Sequence, residues 1–188
     1  SELKPTARFG QMPVFKTADG REMAQSRAMS RYFSKTTMVD GAMLYPEDPW
    51  VAYQIDEYID SLEDARSAIA STFAISDPEE KMAARAAMFK SGGKVFEGFK
   101  KIDALLAKGD SAEGHMVGGK LTLADVWCFC VMNQFRAGFL DGVPTEGWLE
   151  ELPYLSKVVA NTAAHPAVKE HYSKMAVTNS LYAPHARG

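Results

Sequence analysis

The dipeptide Gln25-Ser26 stands where a short extended run, Arg21 to Gln25, gives way to a periodic segment carrying Met29, Tyr32 and Phe33. A helix starting there presents N–H groups that have no partner within the helix, together with the positive end of its dipole. That combination suits a carboxylate. A serine at such a junction also caps its own helix, and the two roles are compatible. Thr122-Leu123-Ala124-Asp125 has the spacing of a capping box, with an aspartate at the reach-back position. Thr122 and Asp125 are therefore assigned to holding a helix start, not to acid–base work. His115, His165, His171 and His185 show no metal-ligand spacing, so no metal is expected. No Gly-rich phosphate loop and no Gly-x-Ser-x-Gly nucleophile pattern occurs. Cys128 and Cys130 are the only cysteines. Two residues apart on a helix they point away from each other, and both read as buried structural thiols.

The elements that must position these groups follow from punctuation and periodicity. Met12 to Lys16 reads as a strand, Ala18-Asp19-Gly20 as a hairpin turn and Arg21 to Gln25 as the returning strand. A helix then starts at Ser26. Everything beyond reads helical. Asp48-Pro49 and Asp77-Pro78 supply an N-cap and an N1 proline for two helices. Val51, Ile55, Tyr58, Ile59, Leu62 and Ile69 recur at helical spacing in the first of these. Met82, Phe89, Phe96, Phe99, Ile102, Leu105 and Leu106 do so in the second, which Gly92-Gly93 bends or breaks. Thr122 opens the most apolar helix, and Leu152-Pro153 and His165-Pro166 mark two shorter ones. The polar, turn-rich connection from Thr36 to Asp48 is the expected boundary. The chain of 188 residues is 46% hydrophobic with a net charge of -3, enough for a sizeable core and without a basic block for nucleic acid. No apolar run is long enough to span a bilayer, and no signal peptide is read at the start. Sparse cysteine points to a reducing compartment, here cytoplasmic.

Three runs together bring a family into view. Phe9-Gly10-Gln11-Met12-Pro13-Val14, Ala24-Gln25-Ser26-Arg27-Ala28-Met29 and Gly118-Gly119-Lys120-Leu121-Thr122-Leu123-Ala124-Asp125 follow in order along nearly the whole chain. In this arrangement the sequence resembles the glutathione transferase superfamily, and Gln11-Met12-Pro13 with the acidic stretch at 56–64 resembles its sigma and mu classes. The resemblance implies an α+β fold. A partial thioredoxin-like part (residues 1–37, β-hairpin plus helix) binds glutathione and precedes an all-α C-terminal domain (residues 48–182). It implies a cis bond before Pro13, which turns the backbone groups of Met12 outward toward an extended peptide. An ordinary trans proline at a strand start is the other reading. It further implies that Gln25 and Ser26 take the γ-glutamyl carboxylate, with Gln11 beside them. Lys4 is either the lysine that reaches the glycyl carboxylate or a solvated surface lysine. Asp64 either reaches glutathione on a partner subunit of a homodimer or is one of several solvated acids. Arg66, Trp127 and Val131 stand at positions that line the second-substrate pocket.

The resemblance also marks a departure. The family's catalytic tyrosine, whose hydroxyl favours the glutathione thiolate, lies in a β-α-β unit of about 30 or more residues that this chain lacks. Tyr32, Tyr45, Tyr53 and Tyr58 do not align with it, so no catalytic residue is assigned within the chain. The strand at Val14-Phe15 then presents an open apolar edge, which implies a partial record or a covering polypeptide. Two functions follow from the resemblance: conjugation or isomerisation of small hydrophobic electrophiles with glutathione as co-substrate, or a non-catalytic structural or scaffold protein. The retained Gln11, Pro13, Gln25 and Ser26 favour the first.

Overall fold

The computed structural model describes residues 7–109 and 114–178, the last three by their backbone. Lys4 lies outside the described residues. β1 (Val14–Lys16) and β2 (Glu22–Ala24) form an antiparallel ladder with Val14 opposite Ala24. The turn between them is held by the Gly20 N–H donating to the Thr17 carbonyl. Helix α1 (Ser26–Ser34) follows immediately. The connection read as purely polar contains a second small hairpin, β3 (Met38–Val39) and β4 (Ala42–Met43), against the expectation of helix alone. Its two-residue loop is Asp40-Gly41, with φ of 49° and 77°. Both values suit a type I′ turn, whose twist matches that of paired strands. Strands of two residues leave no alternation to read.

The rest is helical. α2 (Pro49–Ser67) begins under Asp48, whose carboxylate accepts from the Trp50 and Val51 N–H groups at 3.0 and 2.9 Å. A 3-10 turn (Ala68–Ala74) leads to α3 (Pro78–Met88), capped by Asp77. α3 and α4 (Lys94–Leu106) are separated at Gly92-Gly93, as the sequence reading expects. α5 (Leu123–Arg136), α6 (Pro153–Ala164) and α7 (Pro166–Thr178) complete the order. Leu152 cannot cap α6, and Asp103 of α4 does so from a distance, accepting from the Leu155 N–H at 2.8 Å. No helix among the described residues is long and apolar enough to cross a membrane.

The core lies in this bundle. Ile55, Ile59 and Leu62 of α2 meet Phe99 and Ile102 of α4 and Met132 and Phe135 of α5, all at most 3% exposed. Phe89, Phe99, Phe135 and Trp148 pack ring against ring, with centroids 5.0 to 6.4 Å apart. Two expected core residues stay outside: Met82 is 40% exposed and Leu105 55%. On α3 the buried residue is Arg85, which donates to the Thr72 hydroxyl at 3.2 Å and the Asp141 carbonyl at 3.0 Å and lies over the Phe73 ring. Cys128 is buried but Cys130 is exposed, contrary to the reading of both as interior. Two residues turn a helix by roughly 200°, so one face cannot hold both.

Helices α2 and α4 approach closely because α4 carries Gly98. A Cβ there would meet the Ala65 Cβ at 2.7 Å and its Cα at 3.1 Å. Gly98→Ala gains about 1 kcal/mol of helix propensity, but overpacking of this kind costs about 1–3 kcal/mol. Because a backbone atom is among those pressed, the second effect wins. The variant is expected to lose about 1 kcal/mol net, read as a lower urea midpoint at unchanged slope.

Candidate functional site

The β1–β2 register builds the site. Val14 opposite Ala24 is the last pair of the ladder, and from it the chain continues to Pro13 and Met12 on one side and to Gln25 and Ser26 on the other. Residues far apart in sequence therefore converge where the strands end and α1 begins. Phe9, Gln11, Met12, Pro13, Ala24, Gln25 and Ser26 line one hollow of about 140 Å³ there. The Met12–Pro13 bond is cis. The Gln25 side-chain amide donates to the Gln11 amide oxygen at 3.4 Å.

Gln25, not Ser26, is the N-cap of α1, a correction to the sequence reading. Its φ of 71° with ψ of 101° is a backbone state that a side-chain-bearing residue holds only at a cost of about 1–3 kcal/mol. The Gln25 side chain makes no capping bond. Ser26 is instead the first helical residue, and the leading N–H groups of α1 stand beside a hollow lined with amides and a hydroxyl. Such an arrangement has the chemistry that suits an anion and the backbone of a peptide.

Charge fixes α1 on the bundle. Arg27 pairs with Asp60 at 2.6 Å, and Arg31 with Asp56 at 2.6 Å. The Tyr45 hydroxyl donates to the other Asp56 oxygen at 2.9 Å. Burial and that carboxylate hold the Tyr45 proton more firmly than usual. The Tyr53 hydroxyl donates to Glu57. No tyrosine among the described residues lines the hollow.

The other expected site residues fall elsewhere. Asp64 is exposed on α2 and lines a separate hollow of about 620 Å³ with Lys94, Glu97 and Lys101, not the one at Ser26. Val131 lies in the core at 4% exposed. Arg66 and Trp127 come together through a residue the sequence reading passed over. Glu63 takes both Arg66 nitrogens, Nε at 3.0 Å and Nη2 at 2.6 Å, and accepts from the Trp127 indole at 3.1 Å. Its partners are 3 and 64 positions away, so the local acidic run 56–64 gave no hint which acid was engaged. Thr122 and Asp125 form the capping box: Asp125 accepts from the Thr122 N–H and hydroxyl, both at 2.7 Å, and from the Met116 N–H at 2.8 Å. The Leu44 carbonyl accepts from the Leu123 N–H at 2.8 Å, so the connection from the first part docks on this same helix start.

Residues 63–175 match the family of the glutathione S-transferase C-terminal domain. This chain belongs to the glutathione S-transferase family. A glutathione S-transferase of Anopheles gambiae is 31% identical over 176 residues, covering 94% of this chain and 79% of that protein. Glutathione S-transferase S1 of Drosophila melanogaster is 30% identical over 176 residues, 94% of this chain and 64% of that protein. The structure of prostaglandin synthase D of Nilaparvata lugens superposes with a TM-score of 0.72 at 23% identity, covering 92% of this chain and 78% of that one. The transferase thus has the α+β architecture expected, a thioredoxin-like part followed by a helical glutathione S-transferase C-terminal domain, and it belongs to a family of enzymes.

Acid should loosen one feature of this transferase before others. Burial pushes the Glu63 carboxyl up, but the Arg66 guanidinium, the Trp127 N–H and the charge of Arg27 outweigh it, and the group sits below its ordinary 4.5. A depressed carboxyl contributes stability above the unfolded value, and that contribution disappears as pH falls through the folded one. The melting-temperature difference between the parent and Glu63→Gln is expected to be constant from about pH 7 to 5. It should shrink only below 4.5.

Proposed function

We propose that the chain binds glutathione in the hollow at the start of α1. In this reading Ser26 and Gln25 receive the γ-glutamyl carboxylate, the backbone of Met12 beside Pro13 pairs with the cysteinyl residue, and Gln11 steadies the Gln25 amide. The single observation carrying it is that Met12-Pro13 and Gln25-Ser26, which flank the last β1–β2 pair, line one hollow at a helix start that its own N-cap side chain leaves uncapped. The complete protein would conjugate or isomerise small hydrophobic electrophiles with glutathione as co-substrate. It would be a member of the sigma/mu type with the thiol-activating tyrosine upstream of Ser1. Residues 1–37 would form the glutathione-binding part and 48–182 the helical domain. Lys4 would reach the glycyl carboxylate. Asp64, exposed on α2, would reach glutathione on the partner subunit of a homodimer. Arg66, Trp127 and Val131 would belong to the second-substrate wall. The protein would work in the cytoplasm.

A non-catalytic structural or scaffold protein is the second reading, in which the hollow, lined by no tyrosine among the described residues, takes no glutathione. Calorimetric titration with glutathione separates the two at the first step. Saturable binding at one site per chain is expected, and no heat at millimolar ligand would sink the transferase reading and favour the scaffold. Turnover of a chloronitrobenzene by the full-length gene product then tests the chemistry itself.

A further inference from the structure

We infer that Glu63 is a positioning and specificity-determining residue that cancels the charge of Arg66, so that the second-substrate wall favours uncharged over carboxylate-bearing electrophiles. The inference rests on the glutathione reading above, because it places the electrophile beside the bound thiol.

The geometry is a three-way clamp. Both Glu63 oxygens are engaged by Arg66 in a fork-to-fork pair at 3.0 and 2.6 Å, and the oxygen at 3.0 Å also receives the Trp127 N–H at 3.1 Å. Glu63 is largely covered, with 15% of its side chain exposed, whereas Arg66 shows 36%. The acid is therefore the inner member and the guanidinium the outer one. A bidentate pair fixes the plane of the guanidinium as well as its position. The indole, held by its nitrogen from the other helix, has its ring orientation set by the same carboxylate. One side chain thus places two wall residues on α2 and α5.

The clamp is tied to the start of α1 through Arg27. Arg27 directly follows Ser26, is bound to Asp60 one turn before Glu63, and contributes its charge to the Glu63 environment. A group attached to the sulfur of a tripeptide held at Ser26 would extend past Arg27 toward Arg66 and Trp127. The neighbouring acids of α2 do not replace it: Asp60 is engaged by Arg27, and Asp64 borders the separate hollow beside Lys94 and Lys101. Without the Glu63 charge, Arg66 becomes an uncompensated cation at the wall.

The test compares S-benzylglutathione with S-(para-carboxybenzyl)glutathione by calorimetry, with glutathione itself as reference. Wild type is expected to prefer the neutral ligand. Glu63→Gln keeps an acceptor for Trp127 but removes the charge, and should shift the affinity ratio toward the carboxylate about fivefold, the scale of one partly exposed ion pair. Glutathione affinity should stay fixed. Glu63→Asp should restore the parent ratio, and adding Arg66→Gln to Glu63→Gln should abolish the shift. A ratio unchanged in Glu63→Gln while glutathione still binds would overturn the inference alone. Equal loss of all three ligands would mark Glu63 as merely structural and overturn it too. Failure of the parent chain to bind glutathione would sink the glutathione reading and this inference with it.

Discussion

Asp125→Ala is expected to lower stability by about 4 kcal/mol. Asp125 is fully buried and accepts three hydrogen bonds, from the Met116 N–H and from both donors of Thr122, and His115 Nδ1 approaches it at 3.4 Å. Truncation leaves those donors buried without acceptors, and each such group costs about 1–3 kcal/mol. The helix start loses its capping box as well, worth about 1 kcal/mol. Full additivity would exceed the estimate, but neighbouring losses share relaxation. For a chain of this size 1 kcal/mol corresponds to about 2–4 °C, so the melting temperature should fall by about 8–16 °C. Thr122→Val, which removes both the hydroxyl donor to Asp125 and the oxygen that accepts from the Asp125 N–H but keeps the carboxylate, should cost about half as much. A melting temperature for Asp125→Ala within about 3 °C of the parent would remove the claim that this carboxylate organises the start of α5.

Ser26→Ala should do the opposite: weaken glutathione binding strongly and leave the fold alone. The Ser26 hydroxyl is not the cap of α1, because Gln25 holds the N-cap position. Among the described residues no hydrogen bond of this hydroxyl holds the fold, so the melting temperature should move by less than about 2 °C. A hydrogen bond to a charged ligand group is worth about 1.5–3 kcal/mol, so affinity should drop about 10- to 100-fold. Gln25→Gly separates strain from recognition. Glycine adopts a φ of 71° freely, so this variant should melt higher while binding more weakly. If Ser26→Ala bound glutathione as the parent does, the carboxylate would have to sit elsewhere.

Much of this architecture is legible in the chain because helix starts are written in local chemistry. Asp48-Pro49, Asp77-Pro78 and Thr122 to Asp125 each announce a helix, and each is found with its cap in place. The convergence of Pro13 and Gln25 follows once the Asp19-Gly20 turn sets the register. What stayed hidden depends on partners distant in sequence. Glu63 is one acid among many until Trp127 arrives from α5. Nothing local to Arg85 marks it as interior; the 3-10 turn and the segment at Asp141 enclose it. The β3–β4 hairpin did carry its Asp40-Gly41 signal, but its strands are too short for alternation to appear. Gln25 at the cap of α1 reflects a backbone state that no residue type announces.

Arg85 has a further consequence. It is 6% exposed, makes no ion pair among the described residues, and is satisfied by a hydroxyl, a peptide carbonyl and the face of an aromatic ring that is itself 58% exposed. Keeping a guanidinium out of water without a counter-charge carries a desolvation cost. When the segment at Asp141 lifts away, water solvates that cation and returns part of the free energy lost in separating the surfaces. The bundle should therefore fray from this end first, and backbone amides around Gly142 and Val143 should exchange with deuterium well before those of the Ile55–Leu62 stretch.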